Sequence, residues 1–225
     1  MSRRPVIAID GPAGAGKSTV ARALARRLGY VHIDSGAMYR AVGLVACERG
    51  VDIGDTRALG ALVDAIGLEL SAGPNRQRVL VDGRDVTGAI RTPLAGEWAS
   101  RVAAVAAVRA RLVVRQRALA ASGGVVMDGR DIGTTVFPDA EYKFFLTASR
   151  DVRARRRERD LAASGAVESL ASIRAAIEER DRRDEQRVHS PLRPAADAIV
   201  VDTTALTSDE VVDRLVAAVK GGARP

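Results

Sequence analysis

The chain alternates short apolar runs with stretches of helical periodicity. "PVIAID" (Pro5–Asp10) is apolar and rich in β-branched residues, which predicts a strand buried on both faces. A glycine-rich loop follows, and then Val20, Leu24 and Leu28 recur at helical spacing up to Gly29, a residue suited to ending a helix. "YVHID" predicts a second strand and "SGAMYRAVGLVACERG" a second helix. Within that helix the apolar surroundings of Cys47 predict a core residue rather than a nucleophile. A third helix has Asp55 as N-cap and Leu59, Leu62, Val63 and Ile66 on one face. The period changes in "LELSAGPNRQRVLVDGRDVTGAIRT", where alternation around Gly73-Pro74-Asn75 predicts a small antiparallel excursion.

Thr92-Pro93 then caps a helical region expected to run unbroken from Leu94 to about Ala121, with Trp98, Val102 and Val105 as its packed stripe. Strands are expected at "GVVMD", "YKFFLTA" and "AIVVD". Between and after them lie an Arg-rich helix, "RDVRARRRERDL", a second helix, "ESLASIRAAIEERDRRDEQR", and a closing helix with Thr207 and Glu210 in capping-box positions. Strands alternating with helices predict an α/β fold. The reading is a doubly wound parallel sheet with helices on both faces and one small inserted antiparallel lobe.

Composition narrows the picture. The chain has 225 residues and is 47% hydrophobic, which suits one globular domain over residues 1–225. Aromatics are 3%, which argues against base stacking as the main binding mode. A single cysteine favours a reducing compartment. No apolar run approaches a membrane span, and the first strand begins too soon for a signal peptide, so a cytoplasmic protein is expected. The net charge of +7 comes almost wholly from arginine, since Lys17, Lys143 and Lys220 are the only lysines. It implies anionic ligands, and without a basic tail or zinc spacing it favours phosphates over nucleic acid.

The loop after the first strand supplies the chemistry. Gly11, Pro12, Ala13, Gly14, Ala15, Gly16, Lys17 and Ser18, with Thr19 beside them, fit G-x-x-x-x-G-K-S/T between a strand and a helix. Small residues let backbone N–H groups close on phosphate oxygens at a helix N-terminus. Lys17 is expected on the β- and γ-phosphates of a nucleoside triphosphate, and the Ser18 hydroxyl in the shell of Mg²⁺. A GTPase-type switch is disfavoured, because the base-reading Asn-Lys-x-Asp is absent and Asn75 is the only Asn. A kinase with an arginine-lined acceptor site remains. Behind it stand a kinase of another small acceptor and a regulatory module that only binds the triphosphate.

Asp-Gly-Arg-Asp occurs twice, at Asp82–Asp85 and at Asp128–Asp131. The first copy lies in the predicted hairpin, where Asp-Gly is a turn device. The second follows a core strand, so Arg130 and Asp131 leave the sheet's carboxyl end, where doubly wound folds bind ligands.

"DSGAMYR", "DGRDIGTTVFPDA" and "ERDRRDEQR", together with the phosphate loop, closely resemble bacterial cytidylate kinases, and the similarity runs nearly end to end. The resemblance implies transfer of the γ-phosphoryl group of ATP to CMP or dCMP. It implies that Ser35, Tyr39 and Arg40 belong to the acceptor site, with Arg40 on the CMP phosphate. Ser100, Arg109 and Asp131 would read cytosine, Arg130 and Arg187 would hold phosphate, and Arg180 and Asp184 the ribose. Arg153, Arg156 and Arg157 would lie in a lid of about residues 150–168, and the inserted lobe, about residues 67–92, would help bind the monophosphate. Asp128 is a candidate to orient Mg²⁺ through water. His32 and His189 are expected to be structural. The expected partners are these small molecules, without nucleic acid or membrane, for a monomer. Members of this family often carry a Pro shortly before the Val-Arg matching Val108-Arg109. Here Ala106-Ala107 stand there, which extends the expected helix through Arg109.

Overall fold

A computed structural model of the protein describes residues 4–71, 77–163 and 165–222. The elements run β1 (Val6–Asp10), α1 (Lys17–Leu28), β2 (Val31–Asp34), α2 (Ser35–Glu48), α3 (Thr56–Ala65), β3 (Leu68–Ser71), β4 (Arg78–Val81) and β5 (Arg84–Asp85). They continue as α4 (Pro93–Val102), α5 (Ala106–Leu119), β6 (Val125–Asp128), β7 (Tyr142–Thr147), α6 (Arg150–Ala163), α7 (Leu170–Glu185), β8 (Ile199–Asp202) and α8 (Ser208–Lys220).

Five strands form one parallel sheet in the order β2-β6-β1-β7-β8. β1 is its centre, and all five of its residues are buried, as a strand covered on both faces requires. On one face Ile7, Ile9, Phe144 and Leu146 pack against Val20 and Leu24 of α1 and Leu215 of α8. Each such fully buried aliphatic side chain contributes about 1.5–3 kcal/mol. On the other face Ala8, Ile33 and Met127 meet Val113 of α5. Caps act where expected: Asp55 accepts from Ala58 N–H, Thr92 accepts from Ala95 N–H, and Thr207 and Glu210 form the capping box.

The inserted segment is a three-stranded antiparallel sheet, β3-β4-β5. Its Gly73-Pro74-Asn75 turn lies outside the described residues. The first Asp-Gly-Arg-Asp copy makes the turn from β4 to β5, with φ of 50° at Asp82 and 76° at Gly83, the left-handed pair that a tight hairpin demands. The Asp82 carboxylate also accepts from Gly67 N–H and pairs with Arg49.

Two expectations are corrected. The region after Thr92 is two helices, because Val105 is extended (φ −82°, ψ 114°) and starts α5 anew. The cause is tertiary. α4 packs on α2, α5 packs on α3, and one straight helix does not serve both neighbours. Val102 and Val108, on either side of the break, are both fully buried. The second correction is Cys47, which is exposed at the end of α2 rather than in the core.

Candidate active site

The carboxyl ends of β1, β2 and β6 open into a cleft of about 830 Å³. At one end lies the loop from Gly11 to Gly16. Gly11 has no alternative, since a Cβ there would stand 2.0 Å from the Leu146 carbonyl oxygen. Lys17, 6% exposed, donates from Nζ to the Pro12 carbonyl at 2.6 Å. Burial, with the Arg130 charge adding to it, holds its ammonium well below the usual lysine range. Gly14, Gly16, Lys17, Ser18 and Thr19 line the cleft, while Pro12 and Ala15 face other protein groups through their carbonyls.

Asp128 ends β6 beside this loop. Its Oδ2 accepts from Ser18 Oγ at 2.7 Å, and its Oδ1 lies 2.7 Å from His32 Nε2. Ser35 Oγ donates to the Asp128 backbone carbonyl at 2.7 Å, which fixes the junction of β2 and α2 against β6. A hydroxyl and a carboxylate side by side at a helix N-terminus form a hard oxygen pair. That donor set suits Mg²⁺, an ion that takes few protein ligands and completes its shell with phosphate and water.

The other end of the cleft is charged. Asp34 caps α2 and pairs with Arg40 at 2.6 Å. Burial raises the Asp34 pKa, but the Arg40 charge and hydrogen bond outweigh it, and the carboxyl stays below its ordinary value. Arg109 pairs with Asp131; both are 4% exposed, and the guanidinium lies 5.6 Å from the centre of the Tyr39 ring. The break between α4 and α5 makes this possible. It frees the Ala103 carbonyl, which accepts from Arg109 Nη1 at 3.3 Å, so the broken helix aims the side chain.

Asp184 gathers the rest. It accepts from Arg130 Nε at 2.9 Å and from Ser100 Oγ at 3.4 Å, and it lies 3.6 Å from Arg187 Nη2. Burial opposes its charge, but Arg130, Arg187 and Arg180 together keep its pKa below the ordinary value. Arg180 also lines the cleft, and burial, with the Arg130 charge adding, lowers its pKa to about 10. The Nε atoms of Arg40, Arg109 and Arg180 and Nη2 of Arg187 are buried without a hydrogen-bond partner. These cationic side chains all line the cleft, where their combined charge favours an anionic ligand.

The three arginines of α6 divide. Arg157 lines the cleft. Arg153 is buried, donates to the Ala13 and Ala148 carbonyls and pairs with Asp181 of α7. Arg156 turns toward the residue after β8, donating to Thr203 Oγ1 at 2.9 Å and to its carbonyl at 2.7 Å. Asp10, His32, Asp181 and Thr203 were not singled out from the sequence as parts of this apparatus. A carboxylate closing an otherwise apolar strand is the signal that would have marked Asp10.

The chain is similar to several known proteins. In the solved shikimate kinase from Acinetobacter baumannii in complex with shikimate, 94% of the chain aligns with 97% of this one. The TM-score is 0.50 at 16% identity, a likeness of fold. A bifunctional pantoate ligase/cytidylate kinase of Synechococcus sp. (strain JA-3-3Ab) is 54% identical over 95% of this chain, which spans only 40% of that protein's length. The cytidylate kinase of Pelotomaculum thermopropionicum is 53% identical over 100% of both chains. The cytidylate kinase family profile matches residues 7–221, from β1 to just past α8. The profile over residues 7–221 and the full-length match lead to one assignment: the protein belongs to the cytidylate kinase family.

Proposed function

We propose that the protein transfers the γ-phosphoryl group of ATP to CMP or dCMP, forming ADP and CDP or dCDP. The observation that carries this reading is the buried Arg109–Asp131 pair beside Tyr39, in the same cleft as the phosphate loop. Cytosine presents an amino donor together with acceptors at N3 and O2. Asp131 has lone pairs for the amino group, while Arg109, whose Nε lacks a partner, and Ser100 can donate to the acceptors. Uracil would set a carbonyl against Asp131, and a site built for a donor rejects a ligand that lacks it.

In this reading Gly11 to Thr19 hold the triphosphate of ATP, with backbone N–H groups and Lys17 turned to its oxygens. Ser18 and Asp128 would hold Mg²⁺, which when bound neutralises phosphate charge. Ser35, Tyr39 and Arg40 shape the acceptor site, with Arg40, Arg130 and Arg187 on phosphate and Arg180 and Asp184 on ribose. An oxygen of the CMP phosphate bonds to the γ-phosphorus as the bond to the β–γ bridging oxygen breaks. The attacking oxygen is already ionised near neutral pH, so no general base is needed, and catalysis is positioning and charge neutralisation. Arg153, Arg156 and Arg157 belong to a lid of about residues 150–168, and about residues 67–92 form the lobe that helps bind the monophosphate.

The protein would work in the cytoplasm as a monomer on small molecules, without nucleic acid or membrane. Among the described residues no helix is long and apolar enough to cross a membrane. ADP release measured with CMP, dCMP, UMP, AMP and shikimate tests the reading. Turnover is expected with CMP and dCMP. Slow hydrolysis unaffected by every acceptor would instead indicate a module that only binds ATP.

A further inference from the structure

Asp10 closes the central strand and is 4% exposed. Its Oδ1 accepts from Ile132 N–H at 2.8 Å and its Oδ2 from Gly133 N–H at 2.7 Å. These are the two residues that follow Asp131. The Asp131 carbonyl accepts in turn from the N–H groups of Thr135 and Val136, at 2.9 and 3.1 Å, in a single wide turn over Ile132–Val136. Wide turns of this kind recur at functional sites. One side chain from β1 thus holds the backbone that carries the Asp131 carboxylate toward Arg109.

We propose that Asp10 is a positioning residue for base recognition: it aims Asp131 by clamping the two N–H groups that follow it. This deepens the CMP reading of the cleft and rests on it. The clamp needs both oxygens as acceptors, and only the ionised carboxylate supplies them. Burial pushes the Asp10 pKa up to about 7, against the two N–H bonds that favour its charge. The nearby Asp131 carboxylate raises it further, and Lys17 of α1, which also faces Asp128 of β6, opposes the rise. From β7 the stem of Lys143 packs against Gly133, but its ammonium is engaged by the Pro138 carbonyl and Asp197. Protonation therefore opens one half of the clamp within the physiological range.

The readout is the CMP-to-UMP ratio of kcat/KM between about pH 6 and about pH 8, an interval centred on the Asp10 pKa. The acceptor phosphate titrates alike in both substrates and cancels, and neither base changes charge in that interval. The wild-type ratio is expected to rise with pH. In Asp10→Asn one amide oxygen still accepts, while the NH₂ group opposes the second N–H. Its ratio at the upper pH is expected to fall about threefold to tenfold, the share of a charge-assisted contact that poor aim forfeits, and to lose its pH dependence. KM for ATP should stay at the wild-type value. A folded Asp10→Asn that keeps both the wild-type ratio and its slope overturns the proposal. If that variant fails to fold, Asp10→Glu decides instead: its longer stem keeps the charge but displaces the two acceptor oxygens, and a wild-type CMP-to-UMP ratio in it overturns the proposal. A wild type inactive on every monophosphate removes the underlying reading and the inference with it, whereas an active wild type whose folded Asp10 variants keep its base preference removes the inference alone.

Discussion

Lys17 sits in the protein at a cost. Its ammonium is buried among arginines, and its lowered pKa means that the folded state resists the charged form at neutral pH. Lys17→Ala should therefore lose turnover by roughly a hundredfold or more while its melting temperature stays at or above wild type, a trade of stability for function. Thermal unfolding and steady-state rates on one preparation check both halves. The two Asp-Gly-Arg-Asp copies offer a second comparison. Arg84 is exposed and pairs with Glu48 on the small sheet's rim, where an ion pair adds little. Arg130 reaches Asp184 at the cleft. Arg130→Ala should lower kcat/KM for CMP at least tenfold, as expected for loss of a charge-assisted contact, and Arg84→Ala should stay within about twofold. Equal losses would overturn this separation. The four identical letters are expected to differ in role because one set follows a hairpin strand and the other a core strand.

Elements divide the arginines further. α6 reads as a solvated basic helix, yet it sends Arg153 under the phosphate loop to the Ala13 carbonyl and Arg156 across to Thr203. Thr203 Oγ1 also lies 3.3 Å from the Ala15 carbonyl, so Arg156 is joined through one threonine to the same loop. Neither contact involves the Arg109–Asp131 pair. Arg156→Ala should accordingly lower kcat for CMP and UMP by similar factors and leave their ratio unchanged. A changed ratio would show that α6 reaches the base site. The break between α4 and α5 works at this scale as well. Ala103–Val105 has no residue of strong breaking chemistry, and its propensities favour helix. It breaks because each half docks on a different neighbour, and the carbonyl it frees takes Arg109.

For the molecule as a whole, the charge cluster links activity to acid stability. Asp34 and Asp184 are buried carboxylates that adjacent arginines hold below the ordinary value of 3.8. The unfolded chain takes up protons first, so their contribution to stability is full above that value and is lost as pH falls from about 3.8 through the depressed folded values. Asp10 acts in the opposite sense. Its folded pKa of about 7 lies above the unfolded one, so its contribution is full below about 3.8 and is lost as pH rises toward 7. Asp184→Asn should make acid unfolding less steep below about pH 4, measured by circular dichroism during acid titration. An unchanged acid limb would mean that the arginines do not hold Asp184 down.

The order of strands and helices, the phosphate loop from Gly11 to Thr19 and the caps at Asp55, Thr92 and Thr207 were legible because each rests on near neighbours in the chain. Period, backbone φ and side-chain caps act within a few residues. The arginine-rich segments gained a functional reading only through their resemblance to a family, since charge runs alone favour a solvated surface. Tertiary structure decided what depends on distant partners: the helix break before Arg109, the exposure of Cys47, the turn of Arg153 and Arg156 away from the cleft, and the hold of Asp10 on the backbone after Asp131. Asp10 and Ile132 are 122 positions apart, and only the pairing of β1 with β6 and β7 brings a carboxylate to those two N–H groups. No local pattern carries that information, because a buried donor is satisfied by whichever acceptor the fold delivers to it.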